Sequence, residues 1–562
     1  MGLTRDQLHE ALVDSQAIEE EDFTKAEQAT EVAQIGIDGV LISRGVLKDE
    51  DYGQVMAAWY SVPFVNLRRT HVPNEVVVKL PEVFARTHNI LPVKEDEASF
   101  TIATDDPHDL LERSLLEKYL RREVHYAFAT KADLKAHMYL FAKDPKAMIA
   151  SIVDRPSTTQ DGVDTTAIEL IDAVINYAYQ GGASDIHIEP EEEYTLIRYR
   201  QDGLLHDIAR IPVRLHDNLM TRLKVLSRLA TDERRAAQDG KIRHKTQWGE
   251  EIEIRLSILP TTHAEKAVMR LLADKSQEFN LTNLGLSEAD YGKVSEVVQR
   301  PWGAILVTGP TGSGKTTTLY SILKVLNKRD VNITTIEDPV EFDMESVAQT
   351  QVNEKTGLTF AKGLRSIVRQ DPDIIMVGEI RDSETAAIAV NAAMTGHLVL
   401  STLHTNDAST TFPRLQDMDV EDFLIASTVN VVVAQRLVRK ICANCIQSLQ
   451  IDKVTEELLA HNPHVLQYVK ELSGKKTLKG VTMYKGKGCH VCHETGYHGR
   501  MGVFEVLNVS EDVRQAIMAH KNADEIRAIA LKEGMTSMVY DGVRKVTLGV
   551  TTLEEVMRVT SE

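Results

Sequence analysis

The sequence predicts an α/β protein of several domains, built around one parallel sheet covered on both faces. Three observations lead there. Short, strongly apolar runs at 304–308, 332–336, 373–377 and 398–402 alternate with helical stretches, the spacing of strand–helix–strand units whose strands are buried on both sides. The first run ends in Gly309-Pro310-Thr311-Gly312-Ser313-Gly314-Lys315-Thr316, a glycine-rich turn between a strand and a helix. The chain has 562 residues, too many for one core at roughly 100–200 residues per domain.

Taken in order, residues 1–65 form a helical module, amphipathic over 22–44 and again helical over about 49–59, after Gly45. Residues 66–143 read as a small α/β unit, with strands at 89–93 and 99–103 and helices at 110–119 and 132–141. The stretch 144–165 is the best linker, because Pro156-Ser157-Thr158-Thr159-Gln160-Asp161-Gly162 is rich in turn residues and lacks apolar periodicity. A further unit, 166–278, opens with a helix at 167–179 ending at Gly181-Gly182 and continues with strands at 186–189, 195–200, 251–258 and 267–272. The nucleotide unit spans 279–440, a cysteine-bearing region 441–508, and a helical region 509–562.

Bulk properties exclude several classes. A net charge of -19 argues against coating nucleic acid. No apolar run approaches the ~20 residues that span a bilayer. The acidic N-terminus (Glu19, Glu20, Glu21, Asp22) has no signal-peptide pattern. Gly2 is followed at position 6 by Asp, where myristoylation wants Ser or Thr. These features place the chain in the cytoplasm, with any membrane role reached through partners.

The loop at 309–316 fits G-x-x-x-x-G-K-[ST] in the strand–turn–helix context that the motif requires. Glycines let the backbone turn its N–H groups onto a phosphate, and the new helix adds its positive end. Lys315 is suited to the β- and γ-phosphates, and Thr316, followed by Thr317, to Mg²⁺ and the nucleotide. A second element, Asp373-Ile374-Ile375-Met376-Val377-Gly378-Glu379, runs four apolar residues to an acid at a strand's end. Ligands bind at such ends. Gly378 stands where an Asp is usual, so Mg²⁺ contact falls to Glu379, directly or through water. A third, Thr335-Ile336-Glu337-Asp338-Pro339-Val340-Glu341, offers carboxylates that could orient attacking water, although alone it reads as a solvated acidic turn. A fourth puts His397 and His404 at the two ends of an apolar strand. On their own they fit a phosphate sensor or two hydrogen-bonded core histidines equally.

With these four elements in this order, the chain resembles the secretion ATPases of type II secretion and type IV pilus systems, from about residue 55 to the end. The resemblance implies a RecA-like ATPase core preceded by a PAS-like α/β domain at 166–278. It implies that Glu341 is the base of an aspartate box, Glu379 the Walker-B acid, and His397 and His404 a histidine box, with His404 nearer the γ-phosphate. Arg255 and Arg270 match arginines of the PAS-like domain that reach toward a nucleotide on the neighbouring ATPase domain, of the same or another subunit. Arg365, Arg369 and Arg381 match arginines of the ATPase domain. ATP and Mg²⁺ follow as substrate and cofactor.

Cys442-Ala443-Asn444-Cys445 and Cys489-His490-Val491-Cys492 hold all 4 cysteines of the chain. Two such pairs complete a tetrahedral S₄ site that suits structural Zn²⁺. Their separation exceeds the usual ribbon spacing, and the family resemblance supplies the support for a tetracysteine insertion. Near the N-terminus, Leu41-Ile42-Ser43-Arg44-Gly45 is similar to the middle of a cyclic-di-GMP-binding module of some relatives. Gly36, Asp38 and Trp59 depart from its Arg, Gly and Gln positions, which weighs against that ligand and for docking.

The family implies a cytoplasmic homohexamer, peripheral to the inner membrane through a platform protein and a cytoplasmic adaptor. The long N-terminus and the domain at 66–143 favour pilus assembly over type II secretion. The cysteine pairs and the N-terminal extension argue against pilus retraction, intact Lys315, Glu341 and Glu379 against a non-hydrolysing scaffold, and the acidic balance against a DNA translocase.

Overall fold

Along Tyr194–Gln201 every second side chain is buried, and Glu251–Pro260 and Glu265–Leu272 keep the same period of two. One face of such a sheet packs and the other faces water. The computed structural model describes residues 5–560 apart from 34–36, 44–45, 71, 109, 142–144, 155–158, 161–162, 248, 273–280, 452, 479–480, 490–491 and 493. Two compact units are present, one built on residues 47–274 and one on residues 275–487 and 495–562.

In the first unit a six-stranded antiparallel sheet has the spatial order Leu204–Pro212, Tyr194–Gln201, Asp185–Pro190, Glu265–Leu272, Glu251–Pro260, Gln238–Lys245. Ile188, Ile197, Leu256 and Met269 pack beneath helices Thr165–Gln180 and His216–Ser227. The two outer strands were not foreseen, because neither shows a clean alternation of apolar and polar residues. Helix Pro145–Val153 falls in the stretch expected as linker, and its Ile149 and Ile152 enter this core. The turn-rich residues 155–158 and 161–162 lie outside the described residues. A three-stranded sheet, Ile90–Glu95, Ser99–Thr104 and Glu123–Phe128, forms the smaller α/β part. Gln180 of the long helix donates to Glu82 at 2.6 Å. The helix expected over 22–44 is two, Glu20–Ala33 and Ile37–Ser43, and the sequence between them carries Gly36, a poor helix former. Of the residues on which the cyclic-di-GMP reading turned, Gly36, Arg44 and Gly45 lie outside the described residues.

The second unit carries the parallel sheet. Its strands are β1 (Gly303–Thr308), β2 (Ile333–Glu337), β3 (Val347–Gln351), β4 (Ile374–Val377), β5 (Leu398–Leu403), β6 (Val429–Ile441) and β7 (Tyr497–Asn508). Their order is β3-β2-β4-β5-β1-β6-β7, parallel throughout except for the antiparallel pair β6–β7. Both faces are covered: Ala304 and Leu306 enter one core, Ile305 and Val307 the other.

β7 lies within the region expected to belong to the cysteines, yet it is the outer strand of this sheet. β6 runs past the end of β1 and pairs with β7 from Val431–Asn508 to Ile441–Tyr497. Between them sits an insertion with the hairpin Ile446–Gln450/Thr482–Gly486 and helices Lys453–Ala460 and Pro463–Ser473. Ser510, Asn522 and Ser537 each cap one of the C-terminal helices through a side-chain oxygen.

The last helix, Leu553–Thr560, is fastened to β6 by the buried Glu555. Its carboxylate accepts from the Arg439 guanidinium at 2.6 Å, the Arg439 backbone N–H at 3.0 Å and Arg558 at 2.8 and 2.9 Å. Burial opposes ionisation, but these donors outweigh it and hold the carboxyl down to about 2. A depressed folded-state pKa contributes stability above the ordinary value that is lost as pH falls through it. Glu555→Gln should therefore melt below wild type at pH 7, with the gap closing as pH drops from about 4.5 toward about 2. Melting followed by circular dichroism checks this, and a gap independent of pH would contradict it.

Candidate functional site

Residues Gly309 to Lys315 leave β1 at its C-terminal end and open the helix Lys315–Leu326. Gly309 (φ 149°) and Gly314 (φ 89°) occupy backbone conformations that side chains rarely adopt. A Cβ on Gly309 would lie 2.5 Å from the Gln435 carbonyl oxygen and 2.6 Å from Ser313 Oγ. The loop is also braced from β6. Gln435 donates to the Ser313 carbonyl at 2.6 Å and accepts from Thr318 Oγ1 at 2.7 Å. Gln435 was not singled out from sequence. Its signal is a polar residue that directly ends the apolar run Val431-Val432-Val433-Ala434.

Lys315 Nζ donates to the carbonyls of Gly309 (2.8 Å) and Pro310 (3.1 Å). Burial lowers its pKa, Glu379 opposes that shift and Arg436 adds to it. A partly desolvated cation of this kind gains most from an anionic ligand. Pro310, Thr311, Gly312, Thr316 and Thr317 are exposed around it, whereas Ser313 is buried.

Neighbouring strand ends close on this loop. Thr308 Oγ1 bonds Thr405 Oγ1 and accepts from the Thr405 backbone N–H at 3.0 Å, joining β1 to the chain after β5. Thr402 donates to the Gly378 carbonyl at 2.8 Å, joining β5 to β4. Glu379 follows β4, with its side chain 13% exposed. Its two oxygens lie 2.5 Å from the Arg381 guanidinium and 3.4 Å from His404 Nε2. Glu341 follows β2 and is half-buried. In this segment Glu337 is the buried carboxyl, pushed up by desolvation.

The structure separates the two histidines. His404 stands at the C-terminal end of β5, beside Glu379. His397 precedes β5, where its carbonyl accepts from Gly303 at the start of β1 and its Nδ1 lies 2.9 Å from the Ala392 carbonyl oxygen. Six strand residues at ~3.3 Å each lie between them, so His397 sits at the opposite edge of the sheet from the P-loop. The expectation that both line this site is corrected to His404 alone.

Arg255 and Arg270 belong to the other unit, where they face each other directly across two strands. They lie on the sheet face away from the core, since Ile254, Leu256, Met269 and Leu271 are buried between them. Arg270, its side chain 60% exposed, donates to Asp185 at 3.1 Å, and Arg200 lies 3.7 Å from the same carboxylate. Like charges directly opposite destabilise a sheet pair unless an anion intervenes. Arg365 pairs with Glu384 at 2.6 Å, and Arg369 lies 3.4 Å from Ser366 Oγ.

The ligand sulfurs of Cys442, Cys445, Cys489 and Cys492 lie within 4.8 Å of one another. Cys489 Sγ and Cys492 Sγ are 3.7 Å apart, close to the edge of a tetrahedron with ~2.3 Å Zn–S bonds. The hairpin places them: Lys487 donates to the Cys445 carbonyl at 2.9 Å, and Cys442 to that of Gly496 at 2.9 Å. A hydroxyl at Thr316 and a carboxylate at Glu379 supply the hard oxygen donors that Mg²⁺ prefers.

The family described as Type II/IV secretion system protein matches residues 160–558. The chain belongs to this family. Residues 60–144 match a second family, the MshEN domain. Among curated relatives, the type IV pilus assembly ATPase PilB of Myxococcus xanthus (strain DK1622) is 35% identical over 565 residues, covering 98% of each chain. The type II secretion system protein E of Pectobacterium carotovorum subsp. carotovorum is 40% identical over 508 residues, 86% of this chain and 97% of that one. Among solved structures, the Yersinia pseudotuberculosis ATPase DotB shares the fold, with TM-score 0.51 and 21% identity over 72% of this chain and 95% of its own.

Gly309→Ala is predicted to abolish binding of a fluorescent ATP analogue, because the new methyl group meets the Gln435 carbonyl. Undiminished affinity would contradict the brace from β6.

Proposed function

We propose that this secretion-family ATPase hydrolyses ATP to drive type IV pilus assembly, working as a homohexamer at the cytoplasmic face of the inner membrane against a platform protein and its adaptor. One observation carries the hydrolytic reading. The phosphate loop, the Glu379–His404 pair and the Glu341 segment all follow the C-terminal ends of strands in a single parallel sheet, where ligands bind. Relatives over nearly the whole length bear the names of pilus-assembly and secretion proteins.

Lys315 and the loop N–H groups hold the β- and γ-phosphates. Thr316 and Glu379 are the residues to hold Mg²⁺, which when bound neutralises phosphate charge. Glu341 takes a proton from the attacking water as its oxygen bonds the γ-phosphorus, and the ADP oxygen leaves. His404, which can donate from Nε2, steadies Glu379 or the transferred phosphoryl group. The six-stranded sheet serves as a PAS-like domain. Arg255 and Arg270 on its open face stabilise charge on a nucleotide bound by a neighbouring subunit. The four cysteines hold a structural Zn²⁺. Residues 66–143 serve as the docking domain. No helix among the described residues is long and apolar enough to cross a membrane.

The second reading, type II secretion, draws on the 40% identity to a secretion relative. Complementation separates the two readings. In a host lacking its own pilus-assembly ATPase this chain should restore surface pili, and rescue of type II secretion alone would favour the second.

Lys315→Ala and Glu341→Gln should remove steady-state ATPase activity, and His404→Ala should lower kcat far more than His397→Ala. A wild-type rate in Glu341→Gln would remove that residue as the base. Metal analysis of purified protein should find about one zinc per chain, and folded protein free of zinc would refute the metal assignment.

A further inference from the structure

Tyr320 lies on the P-loop helix and is fully buried, where a phenylalanine would fill the same space. Its hydroxyl nevertheless has two polar partners. It donates to Glu337 Oε2 at 2.5 Å and accepts from the Gln349 side-chain amide. Gln349 of β3 closes the cluster. It donates to Tyr320 Oη (3.3 Å), Glu337 Oε1 (3.2 Å) and the Phe342 carbonyl (2.9 Å), and accepts from the Met344 N–H at 2.7 Å. Thr335 satisfies Glu337 from the other side at 2.5 Å. The Tyr320 and Phe342 rings meet edge-on, 5.8 Å apart at 86°.

We propose that Tyr320 is a positioning residue for hydrolysis: through Gln349, which also holds the Phe342 carbonyl, and through the Phe342 ring, it fastens the segment carrying Glu341 to the helix that begins with Lys315 and Thr316. This rests on the reading of Glu341 as the base. One rigid element then carries both the phosphate-binding residues and the fastener of the segment that delivers the base. At its far end the same helix also holds this segment, Asn327 donating to the Glu345 carbonyl at 2.8 Å. The buried Glu337 is the acceptor of the phenol O–H, leaving a phenol lone pair for the Gln349 amide that also holds the Phe342 carbonyl. Sub-ångström placement of a catalytic group is worth large factors in rate, which gives a purely structural hydroxyl a kinetic signature.

The test compares full-length wild type, Tyr320→Phe, Glu341→Gln and the double variant in steady-state and single-turnover ATP hydrolysis, with melting curves alongside. Tyr320→Phe should lower kcat roughly 10- to 100-fold with KM within about twofold. Because both residues act on one step, the double variant should hydrolyse no more slowly than Glu341→Gln alone. Gln349→Leu, which loosens the same segment without altering the P-loop helix, should give the same split and serves if Tyr320→Phe melts below the assay temperature. A wild-type kcat in Tyr320→Phe, or losses that multiply in the double variant, would overturn the proposal. A wild-type rate in Glu341→Gln alone would strike the base assignment itself, and the proposal with it.

Discussion

The site depends on the register of β1 between β5 and β6. Thr308, the last residue of β1, is level with Leu403 on one side and Ala434 on the other. The next residues of all three strands are therefore level with one another: Gly309 leaving β1, His404 leaving β5 and Gln435 within β6, which continues to Ile441. A parallel strand pair slipped by one residue would exchange its two faces. Here that would move Ile305 and Val307 out of one core and Ala304 and Leu306 out of the other. Packing on both faces thus fixes which polar residues appear together at the edge. The chemistry is set by apolar side chains that never touch a ligand.

The same edge explains why so many polar groups can be buried around the loop. Most of those beneath it are hydrogen-bonded, although Ser313 Oγ, buried in the loop, has no partner. Gln435 spans Ser313 and Thr318, Thr402 reaches Gly378, and the threonines at 308 and 405 bond each other. Buried polar groups without partners cost about 1–3 kcal/mol each, so these side chains stiffen the loop instead of loosening it. Lys315 differs, since its cation rests on two backbone carbonyls and is lowered in pKa by burial. A triphosphate is a better partner than two carbonyls. The site is complementary to a multiply charged anion before one arrives.

Much of this was legible in the sequence, and the omissions have physical causes. The β1, β2, β4 and β5 runs were readable because strands buried on both faces are continuously apolar, and the glycine loop because it needs positive φ at fixed places. Glu379 and His404 were readable as polar residues ending such runs. His397 was misread for the same reason. A residue at either end of a strand looks alike in sequence, and only strand direction tells which end faces the ligand. β7 was hidden because it pairs with β6 across an insertion, and Gly496 and Gly499 near its start read as a loop. Tyr320 and Gln349 escaped because a buried tyrosine in an apolar helix face carries no sign of where its hydroxyl points.

The central claim is that one edge of the parallel sheet assembles a hydrolytic centre with Glu341 at the attacking water. The measurement that bears on it most directly is an experimental structure of the full chain with ADP, Mg²⁺ and a fluoride mimic of the transferred phosphoryl group. The account predicts the mimic against Lys315, with the water opposite the leaving oxygen in hydrogen-bond reach of the Glu341 carboxylate. Glu341 turned to solvent, with Asp338 or another acid holding that water, would contradict it.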